Sequence, residues 1–436
     1  MRSRSSKNDS GRGALLRRSP LRRAALSGLA LLASASTDPV HAQSVPGFEV
    51  STYASVTHPV MLSFGPDGTL YVGKDLQASG SATADFVHSI GVGGSPVTVL
   101  GNAPTPDPDT ILLDVAGTIS GVPGSLLVTG LVTTTAGRMS AIHPDGSVVT
   151  LSDSQPWANI IEMKFDHTGR LVFSAKETRS LWISTGGAPT ILATMPGSAY
   201  PTFFAIAPDD SIVVGATDNK LRIYASDGTL LNGSFASFNG LAGLEYGPGG
   251  AFGDDLYGID STVGTLVRVS ASGVKTIVGT GFATGFAPKD IAFSPTGELF
   301  ASNNSASVVL RITPEWDDLG CALAGVSGDP RLVGTGTLAA GSSNAITLSQ
   351  ARPNALAGLL LALSSGSIPF KGGTLKTSPF FGPYFLGTGP AGAIAIPFGV
   401  APGLPPGTEL VAQWAIQDAA ATYGVALSNA VRGVTP

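Results

Sequence analysis

The chain has a single cysteine, Cys321, among its 436 residues. An intrachain disulfide is therefore excluded, and a small core residue is the default reading of a lone thiol. Charge is scarce as well: Asp, Glu, Lys and Arg make up 13% of the chain, where about 25% is usual. That argues against long charged helices. Histidine is rarer still, and only His58, His88, His143 and His167 lie beyond the N-terminal region. Nothing in their spacing resembles a histidine metal centre, and no G-x-S-x-G nucleophile elbow occurs. No segment beyond the N-terminal region looks transmembrane; near the N-terminus the apolar run "AALSGLALLASAS" follows Arg17, Arg18, Arg22 and Arg23. That run is too short to span a bilayer comfortably. With "VHAQ" behind it, it reads as a signal peptide over residues 1–42, cleaved after Ala42, so a secreted, periplasmic or cell-surface protein is expected.

Without the leader the chain holds 17 basic and 28 acidic residues. Such an acidic balance is a poor match to nucleic acid or anionic lipid. The acids concentrate in the first part, for residues 320–436 hold only five basic and three acidic residues. Gly (57) and Pro (31) are plentiful, which suits short strands joined by turns.

A repeat organises the first part. "PVMLSFGPDG" at Pro59 returns as "PDTILLDVAG" at Pro108, "IIEMKFDHTG" at Ile160, "PTFFAIAPDD" at Pro201, "LAGLEYGPGG" at Leu241 and "PKDIAFSPTG" at Pro288. The fourth and sixth positions are apolar or aromatic throughout, at strand spacing. The tenth is Gly in five repeats and Asp210 in the other, where a tight turn needs φ > 0. Second and third strands follow in every repeat, but a fourth follows only in repeats one to five. The opening stretch "GFEVSTYAS" has the character of those fourth strands and precedes repeat one. It is predicted to complete the sixth unit and close a six-bladed β-propeller over residues 43–315. Closure removes an exposed sheet edge.

The opener "PGFEVSTYA", the form "PVMLSFGPDGTLYV" in repeat one and "GPGGAFGDDLYGID" in repeat five resemble the six-bladed propellers of the NHL and SMP-30/gluconolactonase-like group, over residues 45–313. That group includes hydrolases, lyases and binding proteins, so the resemblance implies a fold more than a function. Its lactonase-like members carry a Glu, Asn and Asp set where the inner strands begin. The matching positions here are Val60, Ile161, Thr202, Ala242 and Lys289, with Asp109 the one that fits; Glu162 and Asp290 stand one place off. Residues 316–436 show short alternating strands such as "ELVAQWAIQD" and are predicted to form a small β-sandwich. Their "GTGTLAAGS" and "LSNAVRGVTP" resemble a C-terminal domain that recurs in large secreted bacterial proteins. The whole chain is thus expected to be all-β, with "PEWDDLG" as connector.

The rim where the inner strands begin is the expected ligand site. The repeat register places Asp109, Glu162, Asp290 and Lys289 there, joined by Lys74, Asp75 and Asn303 from the ends of the second strands. Three functions are in play. The first is a non-catalytic exported propeller that binds a glycan, peptide, surface protein or other polar partner at this rim, with the sandwich for attachment or spacing. The second is a metal-dependent hydrolase of lactones or esters, with Asp109, Glu162 and Asp290 as ligands or bases and Ca²⁺ as the candidate ion. The third is a structural envelope protein.

Overall fold

A computed structural model of the chain describes residues 43–74, 86–102, 108–133, 135–285 and 288–436. After β1 (Phe48–Ser55), blade one comprises β2 (Pro59–Phe64), β3 (Leu70–Lys74), β4 (Phe86–Ile90) and β5 (Val97–Asn102). Blade two is β6 (Pro108–Asp114), β7 (Ser125–Thr133), β8 (Ala136–Ile142) and β9 (Val148–Gln155). Blade three is β10 (Ile160–Phe165), β11 (Leu171–Ala175), β12 (Ser180–Ser184) and β13 (Thr190–Thr194). Blade four is β14 (Pro201–Ile206), β15 (Ile212–Ala216), β16 (Lys220–Tyr224) and β17 (Leu230–Ser237). Blade five is β18 (Leu241–Tyr246), β19 (Leu256–Asp260), β20 (Thr265–Val269) and β21 (Lys275–Thr280). Blade six is β22 (Pro288–Phe293), β23 (Leu299–Asn303) and β24 (Val308–Pro314).

Each of these groups forms one antiparallel sheet, and β1 supplies the fourth strand of blade six. It runs antiparallel to β24, with Phe48 opposite Pro314 and Ser55 opposite Val308. Just before it, Ser44 exchanges two backbone hydrogen bonds with Thr280 at the end of β21. The N-terminal strand thereby closes the ring and fastens blade five to blade six. Every inner strand touches the inner strand of the next blade, and β22 returns to β2. The six turn positions of the repeat, Gly68, Gly117, Gly169, Asp210, Gly250 and Gly297, all adopt positive φ, the conformation those residues were expected to supply.

Period two decides which side chains fill the blades. The fourth repeat positions, Leu62, Ile111, Met163, Phe204, Leu244 and Ile291, are all buried between sheets, each contributing about 1.5–3 kcal/mol of apolar burial. All six inner strands carry a register irregularity near their first residues. Such bulges re-aim side chains at a strand end, and here that end is the rim.

The C-terminal part is a sandwich. One sheet has the order β25 (Asp317–Gly320), β35 (Ala430–Val434), β33 (Glu409–Gln417), β28 (Leu356–Ala362), β31 (Phe380–Gly387), with β34 (Val425–Leu427) also on β33. The facing sheet is β26 (Arg331–Thr335), β27 (Ser343–Ser349) and β32 (Ile394–Gly399). Trp316, Leu332, Ile346, Leu348, Leu359, Trp414 and Ile416 fill the space between them. The hairpin of β29 (Ser365–Phe370) and β30 (Gly373–Thr377) packs Leu375 against Leu360 and Leu427 on the outer face.

"PEWDDLG" is no loose connector. Pro314 ends β24, Trp316 is buried in the sandwich core, and Asp317–Gly320 is a strand of the larger sheet. Arg331 donates to the carbonyls of Gly250 and Ala251 in blade five, and Glu315 N–H donates to Gly47 O. The tryptophan between Glu315 and the pair Asp317–Asp318 explains the difference: burying its indole draws the junction into the fold.

Candidate functional site

Two neighbouring regions carry polar side chains at the propeller centre. The first lies on the axis. Lys164 of β10 forms an ion pair with Glu245 of β18 and stands 3.8 Å from Glu162 Oε1. Asp290 of β22 spans to blade one, accepting hydrogen bonds from Leu62 N–H at 2.9 Å and Ile291 N–H at 2.8 Å. Three blades thus meet through one ammonium and three carboxyls. Glu162 and Asp290 are only 4% and 3% exposed, and Met61 and Phe203 are buried in the core around the axis.

Burial sets the electrostatics. It pushes the Glu162 carboxyl well above the usual range; Lys164 pulls it back, while Asp290 and Glu245 push it further up. Burial likewise raises Asp290 to about 7, against the pull of Lys164 and of its two backbone donors. Burial works against the Lys164 ammonium too, but Glu162, Glu245 and Asp290 outweigh it and hold its pKa above the ordinary lysine value. Glu162 Oε2 has no hydrogen-bond partner among the described residues, which suits a carboxyl that keeps its proton.

The sequence-derived residues are dispersed by the structure. Glu162 and Asp290 lie on the axis below the rim. Asn303 caps a turn, its Oδ1 accepting from Ser305 Oγ and Ala306 N–H, both at 3.1 Å. Lys74 ends β3, opposite Pro59 and half-exposed. Asp109 and Lys289 fall within β6 and β22, but their side chains, and all of Asp75, lie outside the described residues. Among the described residues, no three His, Cys, Asp or Glu side chains are grouped to hold a metal ion. The donor set on the axis does not fit Ca²⁺: Glu162 and Glu245 face the Lys164 ammonium, the Asp290 carboxyl is taken up by two backbone donors, and burial raises both Glu162 and Asp290.

The second region is a cleft of about 760 Å³ over blades three to five, on the rim where the inner strands begin. Ile161, Phe203, Phe238 and Leu241 make its apolar floor, and Tyr200, Thr202, Asn219, Asn239 and Thr262 add polar groups. Lys176 and Lys220 are its only charged lining residues among those described. The Lys176 ammonium sits 5.4 Å above the Tyr200 ring, a cation–π arrangement. Thr202 Oγ1 is buried and lacks a partner among the described residues. Gly215 makes the floor possible. A Cβ there would come within 2.3 Å of Leu241 and 2.9 Å of Thr202 Oγ1.

None of the described residues among Glu162, Asp290, Asn303 and Lys74 lines this cleft. The residues that do line it carry no acid, the residue type by which the repeat register points to a rim site. A better signal was the run of apolar or small uncharged residues at the second position, Ile161, Thr202 and Ala242 in blades three to five, flanked by Tyr200 and Asn239. Lys164 and Glu245 were missed for another reason: both occupy the fifth repeat position, which also faces the axis.

No protein-family model and no curated protein sequence matches the chain. Solved structures do. The chain is similar to virginiamycin B lyase from Staphylococcus aureus at 14% identity, over 61% of this chain and 99% of that one, with a TM-score of 0.44. It is similar to a gluconolactonase from Xanthomonas campestris at 16% identity, over 61% and 89%, with a TM-score of 0.46. An auxiliary nutrient binding protein from Bacteroides thetaiotaomicron matches at 12% identity, over 61% and 76%, with a TM-score of 0.48. Likeness at this level concerns the β-propeller fold alone.

Proposed function

We propose that the chain is an exported, non-catalytic propeller of the NHL/gluconolactonase-like kind whose rim cleft binds a hydroxyl-rich organic ligand. A glycan is the class that suits it best. The C-terminal sandwich serves as an attachment or spacer module. The observation that carries the reading is the lining of the cleft: aromatic and aliphatic floor, amides at the edge and, among the described residues, a buried Thr202 hydroxyl without a partner and two lysines with no carboxylate. Sugar rings present apolar faces that pack on such a floor and hydroxyls that pair with such groups. The lysines disfavour a bare divalent cation and admit a neutral or acidic sugar.

Binding to an immobilised glycan panel, followed by calorimetric titration of any hit, tests this. Tyr200→Ala is expected to weaken a hit at least about tenfold, as loss of a buried aromatic contact does, and Thr202→Val to weaken it less. The melting temperature should stay within about 2 °C. Glycan binding that survives both substitutions, or a hit displaced by Ca²⁺ chelation, overturns the reading.

A further inference from the structure

The larger sandwich sheet ends in two unlike edges. At one, β25 carries Asp317 and Asp318, with Asp317 paired to Arg432. Charges of this kind discourage association along an edge. At the other, β31 reads "FFGPYFLG", and all eight of its residues are exposed. Phe380, Phe381, Tyr384 and Phe385 are 42–65% exposed, which leaves roughly 400 Å² of aromatic surface in water. Leu356, Ile368 and Leu386 enlarge the patch. Leu356, Ile368, Phe380 and Phe385 line the outer face, while Phe381 and Tyr384 stand outside that lining, so the apolar surface wraps around the edge strand; taken together it falls within the ~300–600 Å² of the largest patch on a typical monomer.

The patch has both a ridge and a hollow. Beside β31, on the outer sheet face, lies an apolar groove of about 550 Å³ whose lining includes Leu360, Ile368, Phe370, Leu375 and Phe385. Gly358 opens the space: a Cβ there would meet Pro383 at 3.0 Å and Phe385 at 3.3 Å. Pro383 lacks an N–H and sits beside Gly382 at positive φ, so β31 is ill suited to extend the ladder. Packing of side chains is the available mode of contact.

We propose that this surface is the self-association interface of the protein, in which a two-fold axis seats the β31 ridge of each copy in the groove of the other. Charge is the argument for a second copy as the occupant. Residues 43–319 carry 12 basic and 25 acidic residues, and that field keeps copies apart. The sandwich lacks it. Between Asp329 and Glu409 there is no acid at all, and β28 and β31 hold no charge of either sign. Two copies can approach here without burying charge, and a two-fold contact needs one self-complementary patch, which ridge and groove together provide.

Sedimentation velocity of the purified full chain across about 1–100 µM tests the proposal. The parent is expected to be a dimer in the upper part of that range. Tyr384→Asp combined with Phe385→Asp should weaken association at least about 100-fold, while Ile277→Asp, at an exposed apolar position of blade five, should not. All three chains share the same leader, so association through it would survive the double substitution and count against the interface. A parent that stays monomeric at 100 µM overturns the proposal, and so does one that is monomeric but captures fatty-acid probes or vesicles. Tyr384→Cys gives a second readout: under mild oxidation a disulfide-linked dimer should form faster than in the parent, whose one thiol is Cys321. Cross-linking no faster than the parent also overturns it.

Discussion

β1 and β31 are both edge strands of eight residues with several aromatics, and they use them in opposite ways. β1 alternates. Glu49 faces water, while the Phe48 ring lies 4.5 Å from Phe252 and the Tyr53 ring 4.8 Å from Phe300. The Tyr53 hydroxyl then donates to Gly91 O in blade one at 3.0 Å. β31 turns its rings outward on both faces. The first strand uses its rings to hold the propeller together, and the second pairs with β28 through its backbone while leaving its rings in solvent. Apolar residues that do not stabilise the sheet bearing them mark a surface made for something else.

Removal of the two strands' contributions should separate them most clearly. Deletion of residues 43–55 takes away the β24 ladder, the Thr280 clip and the aromatic contacts together, and is expected to cost several kcal/mol, roughly 4 or more. Chemical denaturation measures it, and a truncated chain with an unchanged midpoint would refute the closure role. Aspartate at Tyr384 and Phe385 is expected to leave the midpoint measured at 1 µM almost untouched.

A smaller effect is expected on the axis. Lys164→Met strips the ammonium from Glu162, Glu245 and Asp290 and is expected to cost about 3 kcal/mol at pH 8, as loss of one partner of a buried pair does. The loss should shrink at pH 5, below the value of about 7 to which burial raises Asp290. Equal losses at both pH values would mean that Lys164 acts through packing rather than charge.

Smaller again is the pH slope. The Asp290 carboxyl titrates at about 7 in the folded chain, against about 3.9 when unfolded. The folded state thus holds a proton that the unfolded state has released, so the stability it contributes is present below pH 4 and is lost as pH rises through 7. Asp290→Asn should flatten the fall in melting temperature between pH 5 and pH 8. No such fall in the parent would refute the burial argument.

The fold was legible because a repeat states its own register. Positive φ at Gly68 through Gly297, and the pairing of the opening strand with β24, follow from spacing and turn chemistry alone. The site was not legible to the same degree. Period two says that positions three and five face the axis, but not whether the axis is open, and Met61 and Phe203 decide that by their bulk. Nor does it say that Gly215 and Thr202 of one blade and Leu241 of the next shape one hollow, since that contact joins residues the repeat keeps apart. Trp316 misled because a tryptophan within a charged stretch reads as a linker until its partners are known.

The position of β1 also has a consequence in time. It is made before every other strand of the ring, yet its partner β24 is made only after all five complete blades. Through that interval it has nothing to pair with, and contacts so distant in sequence form slowly. Its alternation of Glu49 and Ser51 with Phe48 and Val50 keeps the waiting strand wettable on one side. A chain cut short anywhere before Val308 would leave that strand unpaired and the ring open, so the fold itself distinguishes a finished propeller from an unfinished one.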